Sequence, residues 1–118
     1  MTTDEMKTRT KIFALRIIKL VEALPAGRTA DVVGKQLIRS GTSVGANYRA
    51  ACRAKSNADF IAKMGIVEEE ADECVFWLEI IVESNLMKKE LVDGLSDEAN
   101  QIVAMTVSSI NTARGHKR

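Results

Sequence analysis

Residues 39–55 read RSGTSVGANYRAACRAK. The two glycines and the small hydroxyl residues suggest a loop. Glycine loops that cradle phosphate follow a strand and carry either G-x-x-x-x-G-K-[ST] or G-x-G-x-x-G spacing. GTSVG fits neither, and no polar/apolar alternation precedes it. Instead Val33, Leu37, Ser40, Val44, Asn47 and Ala51 recur at alternating steps of four and three, straight through the stretch. That is the phase of packed helices, and a loop has no reason to keep it. The spacing predicts one helix over about residues 30–55.

Within that helix Gly41 and Gly45 lie on one face, with Ser40, Thr42 and Ser43 nearby. Each glycine costs about 1 kcal/mol in a helix interior relative to alanine. The expected compensation is close approach of another helix, from the same chain or a second subunit. Asn47 falls at an inward heptad position, where an asparagine fixes register if its amide finds partners. Gly41, Gly45 and Asn47 are therefore structural or interface candidates.

Outward from this helix the same periodicity recurs. Before it, Phe13, Ile17, Leu20, Val21 and Leu24 mark a stripe over about residues 5–24, widened by Ile12, Leu15 and Ile18. LPAGR ends that helix, and Thr29 is the expected N-cap of the next. After the quoted stretch, Ser56 with Asp59 forms a carboxylate variant of the capping box. Phe60, Met64, Val67, Ala71, Cys74, Leu78 and Ile81 then run in unbroken heptads until Ser84 and Asn85. A last helix, about residues 87–113, carries Leu91, Leu95, Ala99, Ile102, Thr106 and Ile110. Gly94 and Ser96 weaken its first turns, and the tail RGHKR is expected to fray. Long helices with short connections favour antiparallel neighbours, so the expected fold is all-α, an up-down-up-down four-helix bundle.

The totals agree. The 118 residues make one small domain, 1–118, with 46% hydrophobic and 28% charged residues and no linker-like segment. No apolar run reaches the ~20 residues of a membrane span, and MTTDEMKTRTK is too polar for a signal peptide, so a cytoplasmic protein without a membrane partner is expected. Cys52 and Cys74 fall about 21 Å apart along antiparallel helices, beyond disulfide reach.

The net charge of +1 conceals a division. Residues 1–56 hold eleven Lys/Arg and four Asp/Glu, whereas residues 57–118 hold six and twelve. Part of this asymmetry is expected to be internal pairing: counting outward from the turn at Ser56, Arg39 comes level with Glu73. Arg49, Arg53 and Lys55 have few acids level with them, and Lys7, Arg9, Lys11 and Arg16 exceed the acids near them. These residues are the candidate nucleic-acid surface, since such patches hold phosphate backbone without reading sequence. A merely solvated basic face is the alternative.

Enzyme chemistry finds no support. VEEEADE offers Glu69 and Glu73 at i,i+4 spacing but no second ligand pair, and the sole histidine, His116, sits in the tail. No metal, cofactor or catalytic set is expected. Tyr48 and Trp77 are too few for a base-stacking platform, and Trp77 is expected in the core or at a subunit interface.

QLIRSGTSVGANYRAACRAKSNADFIAKMGIVEEEADECVFWLEII, residues 36–81, resembles the four-helix-bundle proteins encoded in intervening sequences of 23S ribosomal RNA genes. The likeness is most specific at QLIRS, at S-V-x-A-N and at the spaced residues from Phe60 to Glu73, and extends more weakly over the first helix. Gly45 stands where many members have proline, and Glu69 and Glu70 where the commoner branch has Gly-Ser, marking a sub-branch. The resemblance implies a closed antiparallel bundle assembling into a ring-like homopentamer, with ribosomal RNA association inferred from gene location. A related bundle is an accessory protein of retroelement reverse transcriptases. Two functions follow as expectations: a non-enzymatic homo-oligomer that binds RNA through basic surface on the first two helices, or a scaffold docking a partner enzyme without an RNA role.

Overall fold

A computed structural model describes residues 1–115. Its four helices are α1 (Thr3–Glu22), α2 (Arg28–Cys52), α3 (Asn57–Glu83) and α4 (Lys89–Ala113), and the described residues include no strand. Each helix packs on the next in sequence, α1 meets α4 only sparsely, and the backbones of diagonal pairs stay farther apart. The result is the expected up-down-up-down bundle, with one loosely closed seam between α1 and α4.

Local chemistry sets the boundaries. Thr2 and Glu5 form a full capping box at the start of α1: Thr2 Oγ1 accepts from Glu5 N at 3.1 Å, and Glu5 Oε1 accepts from Thr2 N at 2.9 Å. At α3, Ser56 Oγ accepts from Asp59 N at 3.0 Å, but the Asp59 carboxylate takes its backbone hydrogen bond from Lys55 N and also binds Lys63 Nζ at 2.6 Å. Only half of the expected box forms. Nor does Thr29 cap α2. Gly27 holds that position, with φ 154° and no side-chain cap, and Thr29 lies in the first turn. The chain reverses there through a conformation essentially reserved for glycine, so the helix begins two residues earlier than a threonine cap would allow.

The end of α3 is a Schellman motif. Asn85 adopts φ 62°, Leu86 N donates to Ile81 O at 3.0 Å, and Asn85 N donates to Val82 O at 3.0 Å. Asparagine tolerates this left-handed conformation better than most residues. The helix therefore stops where the sequence predicts it.

Heptad phase carries the core: Met6, Thr10, Phe13, Ile17 and Leu20 from α1; Met64, Val67, Ala71, Cys74, Leu78 and Ile81 from α3. Two expected positions shift by one residue. In α4 Leu91 is 68% exposed and Val92 is buried, and in α2 Tyr48 is buried where Asn47 was expected. Asn47 is half-buried and returns its amide to Ser43 O at 2.8 Å on its own helix. Among the described residues it makes no hydrogen bond to another helix, so register rests on packing.

The small residues of α2 face α1 of the same chain. A Cβ on Gly41 would lie 2.9 Å from Ile17 Cγ1 and Cγ2, and one on Gly45 would lie 3.3 Å from Thr10 Oγ1. Gly34 meets Val21 equally tightly, at 2.8 Å. The missing side chains let the two helices approach. Buried Thr10, Ser40 and Thr106 each return their hydroxyls to carbonyls of their own helix, so the core carries polar atoms at little cost. Cys74 donates its thiol to Ser40 Oγ at 3.4 Å, and both cysteines are free.

Candidate nucleic-acid interface

The basic residues of α1 and α2 divide by helix face. Lys7, Lys11 and Ala14, at steps of four and three, turn toward α2. There they meet Thr42, Gly45, Ala46 and Arg49 across a shallow groove of about 310 Å³. Gly45, Ala14 and Ala46 keep its floor low, and Lys7, Lys11 and Arg49 stand around it. No acidic side chain lines the groove, and none of the three cations makes an ion pair among the described residues. Three unneutralised positive groups thus converge on one concave strip.

Arg9 and Arg16 lie on the opposite face of α1. Arg9 is bound by Glu98 of α4 at 2.6 and 2.8 Å, and by Gln101 Oε1 at 2.7 Å. Those hydrogen bonds hold the Glu98 carboxyl below its usual range. The guanidinium of Arg16 lies over the first turns of α4, with Nη2 3.5 Å from where a Cβ on Gly94 would sit. The expectation of one basic surface across helix 1 is therefore corrected. Arg9 is committed to an ion pair, because α4 supplies the acids that α1 lacks.

Arg53 is the C-cap of α2, one turn beyond Arg49, and Lys55 follows in the exposed turn, with its backbone N on Asp59. Both side chains are exposed. They extend the positive line past the groove's end without joining it.

Arg39 behaves as the level count predicts. It binds Glu70 at 2.9 Å and also Glu73, and the two carboxylates raise its pKa, Glu70 contributing most. Trp77 Nε1 donates to Glu73 at 3.0 Å, and this bond is the main cause of that carboxyl's lowered pKa. Trp77 is half-buried, edge-on to the exposed Phe76 with ring centroids 5.0 Å apart. This cluster neutralises Arg39 and leaves it no part in the basic groove.

Sequence reasoning missed Thr10, Thr42 and Gly45 as groove residues, and Glu98 as the partner of Arg9. No count along the chain offered Glu98: the level count used for helices 2 and 3 needs a connecting turn, and α1 and α4 share none. Among the described residues no cluster of His, Cys, Asp or Glu is placed to hold a metal ion. No helix is long and apolar enough to cross a membrane.

A family model, 23S rRNA-intervening sequence protein, matches residues 4–108. The chain belongs to that family. A crystal structure of a protein of unknown function from the S23 ribosomal protein family of Bacteroides thetaiotaomicron superposes with a TM-score of 0.87. The two are 35% identical, over 94% of this chain and 99% of that one. No curated protein matches the chain significantly. Family membership and the bundle fold agree, and neither points to an enzyme.

Proposed function

We propose that this chain is a non-enzymatic RNA-binding bundle that works as a homo-oligomer, with phosphate backbone held in the groove between α1 and α2. The observation that carries the reading is the convergence of Lys7, Lys11 and Arg49 on a groove floored by glycine and alanine, with no acid among its lining residues. Backbone phosphates need cations of this kind and no base-reading side chains, which suits recognition of RNA by shape and charge. Membership of the 23S rRNA-intervening sequence family supports RNA as the polyanion.

Titration of a structured ribosomal RNA fragment, followed by fluorescence anisotropy, tests this. Binding is expected to weaken steeply with salt, and Lys7→Glu, Lys11→Glu and Arg49→Glu together to abolish it while helicity persists. Undetectable binding at low salt overturns the proposal, as does binding that ignores the triple change.

Exposed apolar side chains support self-association. Phe76 is 52% exposed and Leu91 68%, and Ile12, Leu15, Val32 and Ile66 are also exposed, so all four helices carry some. Such a distribution suits a chain with several neighbours, as in the ring-like pentamer implied by the resemblance. Light scattering that shows a monomer at micromolar concentration sinks this part. Phe76 also favours the second reading, a scaffold docking a partner enzyme. Under that reading Phe76→Ala costs partner capture and leaves RNA binding absent throughout.

A further inference from the structure

A cleft of about 880 Å³ opens at the end of the bundle where α1 begins. All four helices wall it: Met6 from α1, Tyr48 and Cys52 from α2, Met64 from α3, Met105 and Ser108 from α4. α1 and α4, two of these walls, pack only sparsely on each other. Methionine suits such a site, since its flexible thioether adapts to irregular shapes. No acidic, lysine or arginine side chain lines it, in contrast to the basic groove.

Two of its hydroxyls are not spent on helix carbonyls. Thr10, Ser40, Thr42, Thr106 and Thr112 spend their hydroxyls on carbonyls of their own helix. Among the described residues Tyr48 and Ser108 make no such bond. Tyr48 is only 8% exposed, and no fully buried side-chain oxygen or nitrogen lacks a partner, so its hydroxyl meets solvent through the cleft it lines. Cys52 and Thr3 are the polar groups close enough to act on it. Burial, reinforced by Cys52, pushes its pKa up to about 12, so it remains a neutral donor at physiological pH.

We propose that this cleft binds a small uncharged molecule with an apolar body and one hydrogen-bond acceptor placed against the Tyr48 hydroxyl. The volume falls within the ~300–1,000 Å³ of small-molecule sites. All four helices contribute to its walls. An ionised ligand is disfavoured, because no charged side chain lines the cleft to offset its desolvation, and Met1, whose ammonium is the one charged group there, is 68% exposed. The site is independent of the RNA reading: it shares no residue with the basic groove.

The probe for the test is prodan, a neutral naphthyl ketone, added to the full chain. Saturable, blue-shifted binding of one prodan per chain is expected, with Cys52 protected from N-ethylmaleimide by the bound dye. Buried Cys74 is expected to stay unreactive either way. Ser108→Trp fills the cleft and abolishes both signals; Ala104→Trp, at a second lining residue, serves if the first variant loses helicity. Tyr48→Phe keeps the apolar wall and weakens binding about five- to tenfold. Four results overturn the proposal: unsaturable binding, binding indifferent to both fillers, affinity unchanged in Tyr48→Phe, or Cys52 already protected without dye because a second copy fills the cleft.

Discussion

Arg9 and Glu98 form a two-point ion pair across the α1–α4 seam, with Nε 2.6 Å from Oε2 and Nη2 2.8 Å from Oε1. Their side chains are 26% and 16% exposed, so water screens the pair less than it screens Arg39 with Glu70.

Removing one partner leaves the other charge half-buried, and Arg9→Ala is expected to cost about 1–2 kcal/mol in urea unfolding. The pH dependence follows from Glu98. Its folded pKa is depressed, so its contribution is present above the unfolded value of about 4.3 and is lost as pH falls through the folded value. Glu98→Gln is expected to flatten the acid limb of the stability curve. An acid limb identical to the parent's refutes this.

Two glycine substitutions are expected to have opposite signs. Gly65 has nothing within 4 Å of an added Cβ, so Gly65→Ala gains about 0.4–1 kcal/mol from helix propensity. Gly41→Ala drives a methyl against Ile17 at 2.9 Å, and the overpacking outweighs the same gain, for a net loss of about 1–2 kcal/mol. Thermal melts of both variants decide it.

Cys74 predicts an alkaline loss of stability. Burial pushes its thiol up to about 11, against about 8.5 in an unfolded chain. The raised folded value means that its contribution is full below about pH 8.5 and is lost as pH rises through about 11. Cys74→Ala is expected to reduce the slope in that window, as measured by denaturant unfolding at stepped pH.

The start of α2 separates two residues by role. Gly27→Ala forces a side chain into φ 154° and is expected to cost about 1–3 kcal/mol. Thr29→Ala removes no cap and stays within about 0.5 kcal/mol of the parent. A larger loss at Thr29 would restore it as the cap.

The helices were legible because apolar residues keep phase over many turns, most clearly from Met64 to Ile81. What failed were choices between adjacent positions. Asn47 and Tyr48, like Leu91 and Val92, are both compatible with a 3.6-residue period drifting against a heptad, and only packing decides which turns inward. Polarity points to Tyr48, since its ring buries more apolar area than asparagine while its hydroxyl still reaches an opening. The basic site was half-legible for a similar reason. Charge counts located Lys7, Lys11 and Arg49, but the pairing of Arg9 depends on an acid 89 residues away in sequence.

The loosely closed seam also bears on motion. α3 is gripped on both sides by α2 and α4, whereas α1 is held chiefly through the glycine face of α2 and reaches α4 at few points. The backbone amides of α1 should therefore exchange with deuterium well before those of α3. The helix that supplies two of the three groove cations is then also the first to detach, and a polyanion clamped between Lys7, Lys11 and Arg49 would slow that exchange.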